Sequence, residues 1–148
     1  KGRELMDDID KKILKALIDN GRESHESISK NLNLSRPAVR QRVKKLEDCG
    51  VIKRYKAIVD WDKLGQNIHV FIHLKINAVI IKDIIKKIKK INVNGTFLEE
   101  CHRLAGEWCI VLKVRSISPH NITDYIDELL KINGMVGTST TFILSSIE

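Results

Sequence analysis

The segment 34–45, which reads Leu-Ser-Arg-Pro-Ala-Val-Arg-Gln-Arg-Val-Lys-Lys, constrains the fold more than any other part of the sequence. It predicts a helix with one apolar and one cationic side. Ser35 is placed to cap the first turn with its hydroxyl group, and Pro37 falls in that turn, where a missing N–H costs nothing. The apolar stripe recurs at helical spacing and consists of Val39, Val43 and Leu46. Because this stripe needs a hydrophobic partner inside the fold, the other side of the helix is left for a partner outside it.

That other side carries long polar and cationic side chains. At about 100° per residue, the positions opposite the stripe or flanking it are Pro37, Gln41, Lys44, Lys45, Arg36, Arg40 and Arg42. Taken alone, a face of this kind is most often only solvated. The charge is concentrated, however, because residues 36–56 contain eight Lys or Arg and two acids, whereas the rest of the chain is nearly balanced. A local excess of this kind favours an anionic partner such as nucleic acid.

The composition fits one ordinary domain or two small ones. The chain has 148 residues, of which 43% are hydrophobic and 30% charged, and its net charge is +7. No apolar run approaches the roughly 18 to 20 residues of a membrane helix, and the charged start shows no signal-peptide pattern, so we expect no membrane association. Cys49, Cys101 and Cys109 lack CxxC spacing, which suits reduced thiols in a cytoplasmic protein.

Two more helices are predicted before the cationic one. The first covers about residues 8–20, and the second covers about 25–32 with Ser24 as its cap. Asn33 follows the second helix, and asparagine is one of the few non-glycine residues that adopt a positive φ readily. A sharp turn at this residue joins the second and third helices into a helix-turn-helix over about residues 24–48.

The run Val51–Asp60 is rich in residues that favour strands, and we expect it to form an extended wing beside the helices. Lys53, Arg54 and Lys56 lie within it and are candidates for contacts with phosphates. The alternative interpretation, an ordinary strand with exposed basic residues, is equally open. In either case the predicted N-terminal domain, a winged helix-turn-helix, covers residues 1–62.

The second half of the chain changes character and alternates strands with helices. The predicted elements, in order, are a strand at 68–76, a helix at 80–91, strands at 97–104 and 108–114, a helix at 119–130 and a strand at 136–144. Strict alternation of apolar residues carries the first, third and fourth strands. Helical spacing of apolar residues predicts both helices. In the first of them, five lysines lie between the isoleucines.

The order βαββαβ predicts a ferredoxin-like domain over residues 63–148, so that the whole chain is of the α+β class. Such a domain is an antiparallel four-stranded sheet with two helices on one face. The other face needs a cover, and the bulky residues in the strands suggest that a second copy of the chain provides it. We therefore expect a homodimer.

The combination of a helix-turn-helix, a wing, a hinge and a βαββαβ domain resembles the Lrp/AsnC family of transcription regulators. The residues that carry the resemblance are 9–14 (Ile-Asp-Lys-Lys-Ile-Leu), 19–22 (Asp-Asn-Gly-Arg), Leu34-Ser35, 43–52 (Val-Lys-Lys-Leu-Glu-Asp-Cys-Gly-Val-Ile), Leu64-Gly65, 98–101 (Leu-Glu-Glu-Cys) and Gly106. The likeness extends from Met6 to the end of the chain. It implies a dimer that binds double-stranded DNA and often assembles into tetramers or octamers, with amino acids or related small molecules bound in the second domain.

The family's ligand region corresponds to the turn at residues 104–109. Many members have a Thr before its glycine and an Asp three residues after it, whereas this chain has Ala105 and Cys109. A carboxylate can bond the amino group of a ligand, but a thiol is only a weak donor and acceptor. Either the ligand differs or there is none. The candidate effector-binding residues are Ala105, Gly106, Trp108, Cys109, Thr138 and Thr140; as strand residues, the two threonines have a structural role as the alternative.

No other chemistry is indicated. Cys101 and His102 alternate faces of a strand, and no set of four ligands has zinc spacing, so we expect no metal site. His69 and His73 share a strand face but lie about 13 Å apart along it. No phosphate-binding loop, dinucleotide fingerprint or hydrolase motif appears. We expect no catalytic residues, no cofactor and no enzyme activity.

Three classes of function fit these observations. The first is a sequence-specific transcription regulator whose two third helices enter successive major grooves of a near-palindromic site. The second is an architectural DNA-packaging protein with little sequence preference. The third is a ligand-binding or enzymatic βαββαβ module whose helical domain mediates only protein contacts. Clustered positive charge argues against the third class, and Arg40 with Gln41 favours the first over the second, because these side chains can pair with guanine and adenine edges. The candidate DNA-binding residues are Ser35, Arg36, Pro37, Ala38, Arg40, Gln41, Lys44, Lys45, Lys53 and Arg54.

Overall fold

The computed structural model describes residues 6–77 and 81–145 of the chain, which divide into two compact units with the boundary between Ile58 and Val59. The N-terminal unit contains the helices α1 (Asp8–Asp19), α2 (His25–Leu32) and α3 (Arg36–Asp48). All three were predicted from the sequence to within a residue or two. The proposed domain limit after residue 62 lies in the segment that follows this boundary.

Each helix of the N-terminal unit begins at a side chain that accepts hydrogen bonds from the first turn. Asp7 caps α1 in a reciprocal arrangement, since its carboxylate accepts from the Asp10 N–H at 2.8 Å and the Asp10 carboxylate accepts from the Asp7 N–H at 3.3 Å. Ser24 caps α2 and Ser35 caps α3 in the simpler manner that the sequence predicted. Local sequence therefore fixes where each helix starts.

A small core joins the three helices. Ile13 of α1 and Ile28 of α2 are buried, together with the predicted stripe of α3, which consists of Val39, Val43 and Leu46. Burying side chains of this size stabilises the unit by about 1.5–3 kcal/mol each. Since all three stripe residues are buried in this core, the packing determines which side of α3 faces outward.

Arg42 of α3 binds two acidic side chains at the start of α1. Its guanidinium donates to Asp7 and to Asp10, both at 2.7 Å, and the Asp10 side chain is only 7% exposed. The Asp10 N–H and then Arg42 hold the pKa of Asp7 below its ordinary value. The resulting stabilisation is present above the ordinary pKa of an aspartate and is lost as the pH falls through the lowered value.

The run Val51–Asp60 contains no β-strand, so the alternative of an ordinary strand is wrong, and the wing predicted for this segment is irregular. Ile52 is attached to the end of α3, because its N–H donates to the Leu46 carbonyl at 2.9 Å. The Tyr55 hydroxyl donates to the Glu47 carboxylate at 2.8 Å. Strand-favouring residues form a strand only beside another strand that satisfies their N–H and C=O groups, and the N-terminal unit contains none among its described residues.

The C-terminal unit has the predicted βαββαβ order. Its elements are β1 (Ile68–Ile76), α4 (Ile81–Ile88), β2 (Thr96–Arg103), β3 (Ile110–Ser116), α5 (Pro119–Leu130) and β4 (Met135–Phe142). The sheet order is β2-β3-β1-β4, and each neighbouring pair is antiparallel. The predicted start of the first helix at Ile80 lies outside the described residues.

The alternation of β1 divides the sheet into a helix-covered face and an open face. Val70, Ile72 and Leu74 are fully buried, and their partners across the sheet are Val114, Leu112 and Ile110 of β3. These residues form one core with buried side chains of both helices, namely Ile84, Ile88, Ile122, Tyr125 and Leu129. A sheet with one closed face and two helices is therefore confirmed.

Three ends of the predicted apolar patterns lie outside this core. Trp108 precedes β3 rather than belonging to it, Leu130 at the end of α5 is 50% exposed, and Leu144 follows β4 and is 96% exposed. Each of these residues continues the apolar periodicity predicted for its element without belonging to the core. Periodicity alone predicts which face a residue occupies, but not whether a neighbour covers it.

The open face carries an ionic cluster in addition to bulky residues. Glu99 of β2 accepts from Arg115 at 3.1 Å and lies 3.3 Å from Lys113 of β3. His69 of β1 is buried beside them, with its Nε2 atom 3.8 Å from Glu99. Burial, aided by the positive charges of Arg115 and Lys113, lowers the pKa of His69. Trp61 covers one end of the face, where its ring stacks against Phe97 at 5.0 Å and Arg115 at 5.5 Å.

We expect Arg42→Gln to lower the free energy of unfolding of the N-terminal unit by about 1–2 kcal/mol, because the buried Asp10 carboxylate loses its charged partner. Urea titration followed by far-UV circular dichroism measures this change. Lys15→Gln is the matched control, since it removes an exposed ion pair with Asp19 and should change stability by less than about 0.5 kcal/mol. Equal effects of the two substitutions would contradict the role given to Arg42.

Candidate functional site

The outer face of α3 is an exposed surface of hydrogen-bonding and cationic side chains. Arg36, Arg40, Gln41 and Lys45 are exposed, and Ala38 is half-buried between them and the core. None of these side chains is needed to close the small core, which the stripe of α3 fills from the other side. The geometry therefore presents a convex, basic helix, the shape that enters a major groove.

The turn that positions α3 depends on Asn33. This residue has φ 52° and ψ 44°, the left-handed conformation predicted for it, and it is the one non-glycine residue with positive φ in the described parts of the chain. The next residue, Leu34, donates its N–H to the Ser29 carbonyl at 2.9 Å. The Ser35 hydroxyl then accepts from the Ala38 N–H at 3.3 Å. These contacts set the angle at which the chain leaves α2 and enters α3.

Arg42 and Lys44 of α3 have acidic partners among the described residues. Arg42, which lies next to the stripe, points to Asp7 and Asp10 and is unsuited to an outside contact. Lys44 pairs with Asp48 at 3.1 Å, but both side chains remain largely exposed. An exposed pair of this kind is worth little, so Lys44 can exchange Asp48 for a phosphate.

Beyond α3, Lys53 and Arg54 are exposed on the irregular segment 51–60. Ile52, directly before them, packs against the core of the N-terminal unit. The two cations are thus anchored close to the end of α3 although no strand holds them. Lys56 is exposed as well.

The region that corresponds to the predicted effector site is the turn between β2 and β3. It is closed by hydrogen bonds from the Leu104 N–H to the Cys109 carbonyl at 2.8 Å and from the Cys109 N–H to the Leu74 carbonyl at 2.9 Å. Gly106 has φ +129°, a conformation that side chains rarely allow. Ala105 and Gly106 are exposed at the tip, and Trp108 is half-buried.

The polar groups of this turn are already engaged. The Cys109 thiol contacts the carbonyl oxygens of Gly106 and Glu107, both at 3.6 Å. The Glu107 carboxylate accepts from Lys75 at 2.6 Å, and this contact lowers its pKa. The Cys109 thiol is therefore engaged within the turn, whereas Glu107 belongs to an exposed ion pair that an outside group can replace.

The structure places the two predicted threonines unequally with respect to the turn. Thr138 of β4 is the partner of Leu74, and Cys109 bonds the same residue, so Thr138 and Cys109 lie on either side of it. Thr140 is the partner of Ile72, one step farther from the turn on the helix-covered face. Both threonines are half-buried.

Residues 6–77 and 81–145 contain neither a metal site nor a membrane-spanning helix. No group of three or more His, Cys, Asp or Glu side chains in these ranges is arranged to hold a metal ion. No helix in them is both long and apolar enough to span a membrane. Cys101 and His102 pair in register with Leu112 and Val111, so their side chains lie on opposite faces of the sheet as expected.

Comparison with known proteins identifies both halves of the chain. The family model for winged helix-turn-helix DNA-binding matches residues 6–53, and the model for the Lrp/AsnC ligand binding domain matches residues 69–148. The chain belongs to the Lrp/AsnC family. It is thus a helix-turn-helix transcriptional regulator with a ligand-binding domain, and the family is one of regulators and not of enzymes.

Relatives of known function span nearly the whole chain. The HTH-type transcriptional regulator FL11 of Pyrococcus furiosus is 32% identical over 142 residues, which are 96% of this chain and 91% of that protein. The HTH-type transcriptional regulator LrpB of Bacillus subtilis is 34% identical over 126 residues, which are 85% of this chain and 82% of that protein.

Solved structures agree with this assignment. LrpC of Bacillus subtilis superposes with a TM-score of 0.84 at 28% identity and covers 97% of this chain and 98% of its own. A transcriptional regulator of Neisseria meningitidis in complex with L-Met has a TM-score of 0.84 at 26% identity, with 97% and 93% coverage. The predicted α+β architecture of this Lrp/AsnC protein is confirmed.

Sequence reasoning missed the long-range ion pairs beside the two candidate sites, although neither Arg42 nor Glu107 was itself a candidate residue. Nothing local in the sequence signals the pairing of Arg42 with Asp7 and Asp10, which are 35 and 32 residues away. The link between Lys75 and Glu107 also joins residues 32 positions apart. In both cases the only available signal was an unassigned charge on a predicted element.

The conformation of Asn33 generates a test of the helix-turn-helix geometry. We expect Asn33→Ala to lower the free energy of unfolding of the N-terminal unit by about 1 kcal/mol, because a β-carbon is disfavoured in the left-handed region. Asn33→Gly, the control, should change it by a few tenths at most. Far-UV circular dichroism during urea unfolding measures both, and an alanine variant as stable as the glycine variant would show that the turn does not need this conformation.

Proposed function

We propose that this protein is a sequence-specific regulator that binds near-palindromic DNA as a dimer or a higher oligomer. The observation that carries the proposal is the exposed pair Arg40 and Gln41 on the outer face of a helix whose other face is fully buried. Arg pairs with the O6 and N7 atoms of guanine, and Gln pairs with the N6 and N7 atoms of adenine, each through two hydrogen bonds. A face that served only to neutralise phosphates would not need the neutral Gln41 at its centre.

The other candidate DNA-binding residues differ in the part of the DNA that they contact. Arg36, Ala38 and Lys44 flank the central pair and join it at base edges and neighbouring phosphates. Ser35 and Pro37 form the start of α3, where the N-terminal end of the helix meets the DNA backbone. Lys45, Lys53, Arg54 and Lys56 contact phosphates, which orient the protein without reading sequence.

The proposal includes a homodimer formed through the open face of the sheet. Phe71, His73 and Val111 are half-buried there, and Phe97 is 49% exposed. A second copy would cover these residues and place two helices α3 for two half-sites. Tetramers or octamers, which the family resemblance implies, extend the same arrangement. Light scattering at micromolar concentration should give at least the mass of a dimer, and a monomeric mass would overturn this part of the proposal.

A small-molecule effector is the second element of the proposal, and its region is the turn 104–109 with Thr138 and Thr140. The family's ligand-binding domain covers these residues, and a Neisseria relative has been solved with L-Met. Ala105 supplies no side-chain hydrogen bond, and Cys109 is engaged within the turn. Either a ligand of different chemistry binds here, with the exposed backbone at Gly106 and the half-buried Trp108 ring as its candidate contacts, or no effector binds.

An architectural role in DNA packaging is the alternative function. It is favoured by the number of exposed cations on and after α3, which bind any sequence through phosphates. The two functions differ in what they predict for salt and sequence. Packaging requires affinity that falls steeply with salt and is nearly equal for all duplexes.

Selection of bound duplexes from a random pool, repeated at several salt concentrations, tests the proposed function. We expect a pseudo-palindromic consensus that is bound about 10³-fold or more above random DNA at moderate salt. Gln41→Ala should weaken binding to that consensus by about 1–3 kcal/mol and relax the preference at one position of each half-site. An unchanged consensus with intact affinity would remove the readout role of Gln41, and no enriched sequence would favour packaging.

Lys53→Gln serves as the matched control in the same selection. It removes one exposed cation outside α3, so it should weaken all sequences alike and leave the consensus unchanged. The plot of log affinity against log salt should become shallower by about 1. The contrast between the two variants separates base recognition from phosphate binding.

A further inference from the structure

A second basic surface lies on the C-terminal unit, along α4. Residues 81–90 contain five lysines and one acid, and all five lysines are exposed. The lysines, at positions 82, 86, 87, 89 and 90, lie opposite the side of the helix that packs on the sheet, where Ile84 and Ile88 are buried. Hydrogen bonds from the Lys89 and Lys90 N–H groups to Ile85 and Lys87 continue the helical path beyond Ile88. We call these five residues the lysine stripe.

The lysine stripe is poorly neutralised by its own chain. Lys86 lies 3.4 Å from Asp83, and both side chains are largely exposed. Across residues 6–77 and 81–145, Lys82, Lys87, Lys89 and Lys90 make no ion pair. Two of these four like charges lie on α4 and two directly follow it. They repel each other, so an anion that approached from outside would stabilise the stripe.

The neighbouring helix on the same layer has the opposite charge. α5 contains three acids and no lysine or arginine. Two of these acids have partners nearby, since Asp124 lies 3.8 Å from His120 and Glu128 contacts Lys131 at 2.5 Å. The helix layer thus has a basic side and an acidic side, and an extended polyanion is attracted to α4 and repelled from α5.

Further positive charge continues from α4 toward the edge strand β2. Lys89 is close enough to Cys101 for its charge to oppose the rise that burial gives to the pKa of that thiol. Arg103 follows two residues after Cys101 on the same side of β2 and is exposed. Arg103 therefore adds one more positive charge on the helix-covered side of this edge strand.

We propose that the lysine stripe is a second DNA contact, which binds the phosphate backbone outside the sequence read by α3. It rests on the proposed function only in that the chain binds duplex DNA. At 1.5 Å per residue, Lys82, Lys86 and Lys90 span about 12 Å along the helix, and a duplex presents about one phosphate per 1.7 Å of its axis. Lysine is a flexible point charge that suits phosphates without demanding a fixed geometry. The stripe adds affinity and bends or guides flanking DNA, and it adds no sequence preference.

The test uses the full chain with Lys82, Lys87 and Lys90 all replaced by Gln, and two duplexes: a short one that contains only the selected site, and one extended by several helical turns on each side. On the long duplex we expect the slope of log affinity against log salt to become shallower by about two to three, since each lost phosphate contact contributes about 0.9. On the short duplex the slope and the affinity should be unchanged.

Two control variants make the result specific. Replacing the same three lysines by Arg keeps the charge and should retain binding to the long duplex. Replacing Lys11, Lys15 and Lys131 by Gln removes equal charge from residues that pair with acids of their own helices or turns and should leave the difference between the duplexes unchanged. Protection of Lys82, Lys87 and Lys90 from acetylation by the long duplex, measured by mass spectrometry, gives a direct readout.

Equal slopes for the native chain and the Gln variant on the long duplex would overturn the proposal. So would a variant that changes only the mass of the assembly in sedimentation, because the acidic α5 of another copy would then be the partner of α4. If random-pool selection enriches no sequence, the proposed regulator fails, but the comparison of long and short duplexes still tests the stripe, because phosphate contacts do not depend on sequence.

Discussion

The burial of Val39, Val43 and Leu46 determines how the N-terminal unit meets its target. With this stripe fixed against α1 and α2, rotation of α3 about its axis is no longer free, and the outward residues follow from helical geometry alone. Rotation by one residue would carry Arg40 toward the core, where an unpaired charge is strongly disfavoured. The direction in which the outer face of α3 points therefore depends on apolar contacts on the opposite side of the helix.

The C-terminal unit follows the same logic with a period of two instead of 3.6. Its helix-covered face is a continuous apolar core, while its open face combines half-buried aromatic and aliphatic residues with the cluster of Glu99, Lys113 and Arg115. A wholly apolar face could associate in many orientations. Charged residues on the face favour a partner whose charges are complementary in one orientation. Such a face suits association with a defined register.

Much of this architecture was predictable because it depends on short-range sequence patterns. Caps such as Ser24 and Ser35, the positive φ of Asn33 and the alternation of β1 all depend on residues within a few positions of each other. The outer face of α3 followed from the same periodicity, and its contacts with bases remain predictions. The absence of a strand in Val51–Asp60 could not be predicted, because strand formation depends on a neighbouring strand that local sequence does not reveal. The engagement of Arg42 and of Glu107 was missed because their partners lie more than 30 residues away.

The contact of Arg42 with Asp7 and Asp10 has a consequence for the order in which the N-terminal unit assembles. The first turn of a helix ordinarily frays, so its amide hydrogens exchange with water well before the rest of the molecule opens. In α1 that turn is held by a side chain from the last helix of the unit. Fraying of α1 therefore requires this contact with α3 to break first, so the start of α1 is coupled to the third helix of the unit. Its amides should exchange more slowly in the native protein than in the Arg42→Gln variant.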